Sequence, residues 1–550
     1  MGSRMSRRAA MSATAATITA VLALAACGRS ASSGGNTGNV SPTKGLVATT
    51  VAGTKPVASV TWAVYRDVNS LDPIYAFDYP ENTAISLMCE SLLKQSPTGA
   101  LQPGLATMTN PSPTTLVFTI NPAAKFWDGH PVTAADVVYG LDRNTNASLG
   151  GFYGLVFSRV SSIAATGSKQ VTITLKQPDY WLPGELASIP GVVIEKAFAM
   201  KQGKKYGTPT GSIMCTGAYK LKSFVPGVGV TAVPNASYWN SAVKPMVQQI
   251  VIKGVASDTT LTSGLTTGAI QGTYTSGGLS TLPQLQSGGA VSVVRGPGWD
   301  TDAFIVCNTK GVLGDVRVRE ALSLALNRQA IINDVYKGAA LLPRWLANPG
   351  VFGYGQATFN KDYLTSPVMT QNIAKARQLV KAAGATGKSF TIGTSSQLAN
   401  ISAETGAYQA AASAIGLKTT LKSVSAQNYI NFFTDPKARA GVDGFMTTNY
   451  GDYADPAALL ATLVIPGGSQ NYDNFADPKI IASLQQARST ADPNARAALV
   501  AKAEERVAAL LPWIPNVQPV QILVMAKGLT GATASFAYMF APWANTLGGK

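Results

Sequence analysis

The chain has 550 residues, 46% hydrophobic and only 13% charged, with a formal net charge of +16. That balance suits two to four packed units and argues against a disordered chain. A single histidine, His130, and four cysteines without a C-x-x-C pair rule out a His-rich metal centre, a zinc ribbon and a thioredoxin-type motif, and weigh against a histidine-dependent catalytic triad.

In chain order, the first element is an address. Arg4, Arg7 and Arg8 precede an Ala-rich apolar stretch from Ala9 to Ala26, the layout of a secretory signal. Its end, Leu24-Ala25-Ala26-Cys27 followed by Gly28, resembles the bacterial lipobox. The resemblance implies that residues 1–26 are a signal peptide and that Cys27 is lipidated as the new N-terminus. Residues 27–56 then form a flexible tether, rich in Ser, Gly and Thr. Without the three leader arginines the charge is +13, which suits a lipid-anchored protein on the extracytoplasmic face of the cell membrane. Nucleic acid is not an expected partner, because the Lys and Arg residues are scattered rather than clustered. The body has no apolar run of 18 residues, so no membrane-spanning helix is predicted.

The body alternates short strands with helices. Ser59 to Val64, Leu116 to Ile120, Val171 to Leu175 and Gln249 to Ile252 are predicted strands. Thr133 caps a helix, with Asp136 three residues on and Val137, Val138 and Leu141 behind it. Val318, Ala321, Leu322, Ala325 and Leu326 share one buried helix face. Ile373, Ala376 and Val380 repeat that spacing in a helix that stops at Gly384. Ser389 to Ile392 and the alternating Leu417, Thr419 and Leu421 are further strands, and Asp455-Pro456 opens a helix into Leu459 and Leu460. The fold class is α/β, with no internal repeat.

Enzyme motifs are incomplete. Ser91-Leu92-Leu93-Lys94 matches the S-x-x-K of penicillin-binding proteins, but Ser257-Asp258-Thr259 only approaches S-D-N, and K-T-G does not occur. Gly387-Lys388-Ser389 lacks the first glycine of a phosphate loop and leads into a strand. His130 lies in the turn Trp127-Asp128-Gly129-His130-Pro131 and reads as an exposed turn residue. The chain is therefore read as a non-enzyme without cofactor or metal.

Several segments gain meaning from their order. Leu101-Gln102-Pro103-Gly104-Leu105-Ala106 is followed by Lys125 to Tyr139, which contains the turn and capped helix above. Next come Thr216-Gly217-Ala218-Tyr219-Lys220-Leu221, running on to Tyr238-Trp239, then Val316 to Arg328, and finally Tyr450-Gly451-Asp452-Tyr453-Ala454-Asp455-Pro456. The series resembles the family 5 extracellular solute-binding proteins, the peptide- and nickel-type receptors of ABC importers, over residues 57–540.

The resemblance implies a bilobed periplasmic-binding-protein type II fold with an inserted third subdomain. Lobe I is expected at 57–88, 212–302 and 516–550, the insert at 89–211 and lobe II at 303–515, with hinge segments at 296–301 and 512–519. Asp452 matches the aspartate that holds the free α-amino group of a peptide; shaping the turn before Asp455 is the competing role. Tyr450 is a candidate for stacking on a ligand. Thr273, Tyr274 and Trp299 fall in segments that line the cleft, with core packing an equal explanation. Asn327 departs from the usual aspartate of its helix, a structural position. The anchor for a ligand carboxylate does not transfer, and Arg295 and Arg344 are only candidates. Of Cys89, Cys215 and Cys307, the pair Cys89–Cys215 is favoured for a disulfide, although sequence does not fix connectivity.

The expected function is a monomeric lipoprotein receptor that captures an oligopeptide or other amine-bearing solute and delivers it to an ABC permease and its ATPase. The lone histidine disfavours nickel. The alternatives are an oligosaccharide receptor, or a lipoprotein of the same fold that regulates or scaffolds cell-envelope synthesis.

Overall fold

The computed structural model describes residues 43–550, apart from 276, 277 and 397. The signal peptide, Cys27 and residues 27–42 of the tether lie outside the described residues; residues 43–56, expected as flexible tether, instead pack on the body, with the Val47 N–H donating to the Arg295 carbonyl at 2.9 Å and the Gly53 N–H to the Thr546 carbonyl at 2.8 Å. Three main sheets organise the rest. The first has seven strands in the order Val291–Gly296, Gln521–Ala526, Gly272–Thr275, Val60–Val64, Ile250–Gly254, Gly229–Pro234 and Tyr219–Val225. Val60–Val64 pairs in parallel with both neighbours, and the other pairings are antiparallel. The second has six strands in the order Ala340–Leu341, Trp513–Pro519, Thr301–Val306, Gly444–Asn449, Ser389–Thr394 and Lys418–Ser423. The third is a four-stranded antiparallel sheet of Ala106–Ser112, Thr115–Ile120, Gln170–Leu175 and Val160–Gly167.

Local sequence chemistry sets the elements between them. Thr133 and Asp136 close the expected capping box on Ala134–Thr145: each side chain accepts from the other's backbone N–H. Asp315 caps Val316–Ala325, whose Val318, Ala321, Leu322 and Ala325 are buried. The helix Ile373–Ala382 ends where Gly384 turns left-handed at φ 60°, a conformation that costs a glycine little. Asp455 accepts from the Ala457 N–H at 2.8 Å, and Pro456 follows at the first helical position of Pro456–Val464.

The chain crosses between the two large sheets twice. Residues 297–300 link Val291–Gly296 to Thr301–Val306. The return crossing differs from the expected hinge. Trp513–Pro519 is a strand of the six-stranded sheet with every residue buried, and the chain passes to Gln521–Ala526 at Val520. Its prolines and amides suggest a linker, but the amides are spent inside. Asn516 donates to Asp302 Oδ1 at 2.9 Å, and Gln518 donates to the Ala347 carbonyl at 2.7 Å.

A disulfide joins Cys89 to Cys215, so it ties together the two ends of the segment that builds the four-stranded sheet. Cys307 is free and buried, and burial pushes its thiol up to about 12. No helix among the described residues is long and apolar enough to cross a membrane.

Candidate ligand-binding site

The loop after Gly444–Asn449 carries Tyr450 and Asp452, and it is held from both ends. Downstream, Asp455 is fixed as the helix cap. Upstream, Tyr450 donates its hydroxyl to the Phe77 carbonyl at 2.9 Å. Between them Gln95, from the strand Leu93–Gln95, donates to the Asp452 carbonyl at 3.2 Å and accepts from the Ala454 N–H at 2.9 Å. This loop of the six-stranded unit is therefore docked on residues from the other two units.

A second set of contacts closes the same seam. Arg488 makes a two-pronged pair with Asp179 at 2.5 and 2.9 Å, and its guanidinium lies over Trp181, 5.3 Å from the ring centre. Tyr180 N–H donates to the Arg488 carbonyl at 2.9 Å, and Arg159 donates to Gln485 Oε1 at 2.5 Å and Ser489 Oγ at 2.9 Å. Arg488 and Gln485 sit on the helix Pro478–Arg488. The structure is thus a closed arrangement, with the six-stranded unit bolted to the four-stranded one.

Within this closure the Asp452 carboxylate stands alone. The residue is half-buried, and among the described residues neither a hydrogen-bond donor nor a cation reaches its carboxylate oxygens. Burial pushes its carboxyl up to about 7. Two tyrosines, Tyr450 and Tyr153, lie near it. Tyr450 packs 4.9 Å from Tyr79 and 5.1 Å from Phe536, and Tyr153, whose hydroxyl donates to the Ala76 carbonyl, lies close enough to feel the Asp452 charge. An uncompensated, half-buried carboxylate beside two tyrosines is suited to an organic cation.

The remaining expected contacts are not brought to this point. Thr273 is 2% exposed and donates to the Ala63 carbonyl at 3.0 Å. Trp299 is 1% exposed, stacked on Phe540 at 6.0 Å and beside Phe536 at 5.8 Å, so it has no free face for a sugar. Tyr274 is stacked on Tyr538 at 3.5 Å and donates to the Thr533 carbonyl at 2.7 Å. Core packing accounts for all three. Arg344 donates to the Leu364 and Ser366 carbonyls, and Arg295, on the strand Val291–Gly296, to the Gly338 carbonyl at 3.4 Å, so both are engaged with backbone. Asn327 caps Arg328–Asp334 by accepting from the Ala330 N–H at 3.0 Å. The His130 ring is 71% exposed, with Nδ1 2.8 Å from Glu195 and 3.0 Å from Asp128.

Sequence reasoning did not find Gln95, Tyr153 or Glu185. They lie in segments that carry no motif and reach Asp452 only through tertiary contact. A groove of about 500 Å³ lies elsewhere, lined by Ile331, Val335, Ala407 and Ala411, with Asp334 its only charged residue; it offers little chemistry for holding a ligand.

Titration of the ligand-free protein follows from this burial. Burial raises the carboxyls of Asp455 to about 6, Asp452 to about 7 and Glu504 to about 8. Each holds a proton in the folded state that it gives up in the unfolded chain near pH 4. Their contribution to stability is therefore fully present below about pH 4 and is lost as pH rises from there through 6 to 8, as each buried group must ionise. Thermal melts of ligand-free protein between pH 5 and 8 are expected to show a falling melting temperature. A flat or rising profile would contradict the assignment.

Two large sheets joined by two short crossings, with a bare carboxylate in the seam between packed units, define a bilobed binding protein that encloses a solute. Residues 100–471 match the model of the bacterial extracellular solute-binding proteins, family 5 (middle region), and the chain belongs to that family. It is similar to the periplasmic oligopeptide-binding protein OppA of Escherichia coli, 26% identical over 499 residues, covering 84% of this chain and 88% of that one. The periplasmic murein peptide-binding protein MppA of Escherichia coli is 27% identical over 471 residues, covering 82% and 85%. The fold matches that of the periplasmic binding protein DppA from Helicobacter pylori in complex with the peptide STSA, at a TM-score of 0.78 and 20% identity, over 90% of this chain and 98% of that chain.

Proposed function

We propose that this receptor captures an oligopeptide through its free α-amino group and delivers it to an ABC permease. The single observation that carries the reading is Asp452, a half-buried carboxylate with no partner among the described residues, in a chain similar to proteins named for oligopeptides and murein peptide. A buried charge without a counter-ion is costly, so the site favours a cation. The covered face of Trp299 removes the feature that would favour an oligosaccharide. In this reading lobe I comprises 57–88, 212–302 and the C-terminal segment from 520, the insert is 89–211 and lobe II runs from 303 to 519. The three sheets support that division.

Native mass spectrometry of gently purified protein should find a co-purified peptide, and a synthetic peptide should bind while its N-acetylated form does not. Equal affinity for both forms would remove the amine anchor. We further propose a lipid anchor at Cys27, supported by Leu24-Ala25-Ala26-Cys27. Cys27→Ser is expected to leave the globule folded and to release it from the membrane fraction. Recovery of the variant in the membrane pellet at the wild-type level would sink that idea.

A further inference from the structure

Beside Asp452 stands a second carboxylate that the amine anchor does not use. Glu185 ends the short helix Leu182–Glu185. The preceding Gly184 lies directly against the ring of Tyr453: a Cβ built there would sit 2.4 Å from a ring carbon, so any side chain would push the two segments apart. That contact brings the next residue on one segment, Glu185, beside the residue before Tyr453 on the other, Asp452. Glu185 Oε2 is fully buried and has no hydrogen-bond partner. Burial, then the charge of Asp452, raises the Glu185 carboxyl well above its ordinary range, as expected for two acids facing one another.

The neighbouring charges are committed elsewhere. The guanidinium of Arg488 is taken by Asp179. Asp455 accepts from the Ala457 N–H, and Arg496 lies over the ring of Tyr354 at 4.2 Å. Two carboxylates thus neighbour one another in the seam, and among the described residues no basic side chain pairs with either. An aromatic residue lies beside them: Tyr153, whose hydroxyl feels both charges.

We propose that Glu185 is a second anionic contact of the Asp452 pocket, and that the pocket selects ligands with two cationic groups at one end: an α-ammonium and the basic side chain of the same residue. The inference rests on the amine-anchor reading above. A single ammonium compensates one carboxylate and leaves the other buried without a partner. A doubly charged first residue compensates both and brings donors for the bare oxygens, including Oε2. The ring of Tyr153 nearby adds to this, since an ammonium or guanidinium is attracted to a ring face.

Calorimetry at fixed ionic strength on the full folded receptor tests it with three probes: lysyl-trialanine, norleucyl-trialanine and N-acetyl-lysyl-trialanine. Norleucine keeps the length of the lysine stem and removes its charge. Wild type is expected to bind the lysyl peptide at least tenfold more tightly than the norleucyl one. Glu185→Gln should bring the two within about twofold while both still require a free α-amino group. Equal wild-type affinities for the lysyl and norleucyl peptides, with the acetylated probe rejected, would overturn the role of Glu185 and leave the amine anchor standing. An unchanged lysyl preference in a folded Glu185→Gln protein would do the same. If the acetylated probe binds as well as the free one, the amine anchor on which this inference rests falls; if none of the three binds, the peptide reading itself falls. A Glu185→Gln protein that does not fold leaves the wild-type comparison to decide.

Discussion

Asp452→Asn is expected to weaken binding of a peptide with a free α-amino group by more than a hundredfold. Asparagine keeps the size and shape of the side chain and removes its charge. Truncating one partner of a buried ion pair costs about 3–5 kcal/mol. Asp452 is half-buried, so the lower end applies, and about 3 kcal/mol corresponds to a little over two decades in Kd. A pH signature separates this from a mere change of loop shape. With its carboxyl near 7, the free site must lose a proton before it can pair with an ammonium. Affinity should therefore rise about tenfold per pH unit below pH 7 and level off above it, and the asparagine variant should lose most of that dependence. Calorimetry on both proteins at pH 5.5, 6.5 and 7.5 reads the whole set. A variant that binds within a fewfold of wild type would reduce Asp452 to a turn residue.

Arg488→Met is expected to speed ligand release by about a hundredfold with little change in the association rate. The Arg488 side chain is 11% exposed and that of Asp179 not at all. Methionine retains much of the buried stem and removes the guanidinium, leaving the Asp179 carboxylate only the Trp181 and Leu182 N–H groups at 3.2 and 3.3 Å. A carboxylate stripped of its partner inside protein costs about 3–5 kcal/mol. In the proposed receptor the two partners sit on units that part when the seam opens, so opening is the readiest way to rehydrate Asp179. The loss therefore falls on the closed, ligand-retaining state and shows mainly as faster dissociation. Stopped-flow displacement of a bound fluorescent peptide measures it. A wild-type dissociation rate in a folded Arg488→Met protein would mean that the pair contributes nothing to closure.

Sequence reading reached furthest where the determinants are local. The capping box of Thr133 and Asp136 and the Asp455-Pro456 helix start depend on side chains reaching backbone two or three residues away, and that spacing is visible in the chain. Asp452 was legible because it lies within an ordered series of motifs. Glu185 and Gln95 were not: Gln95 meets the backbone of Asp452 across 357 residues of sequence, and no short-range pattern encodes that meeting. Trp299 shows the converse. An aromatic in a cleft-lining segment looks available until tertiary packing lays Phe536 and Phe540 beside it. Trp513–Pro519 was hidden for a related reason, since prolines and amides suit a linker unless long-range partners satisfy the amides in the core.

The bond between Cys89 and Cys215 also sets how the molecule responds to force. Tension applied at the two termini passes through the sulfurs and bypasses the 126-residue span they close. Fully extended, that span corresponds to roughly 420–450 Å of chain, which stays hidden from the pull while the bond is intact. The two large sheets can be unravelled while the four-stranded sheet remains unloaded. A reductant then releases the hidden length as a single added extension and converts a force-shielded module into one that yields with the rest.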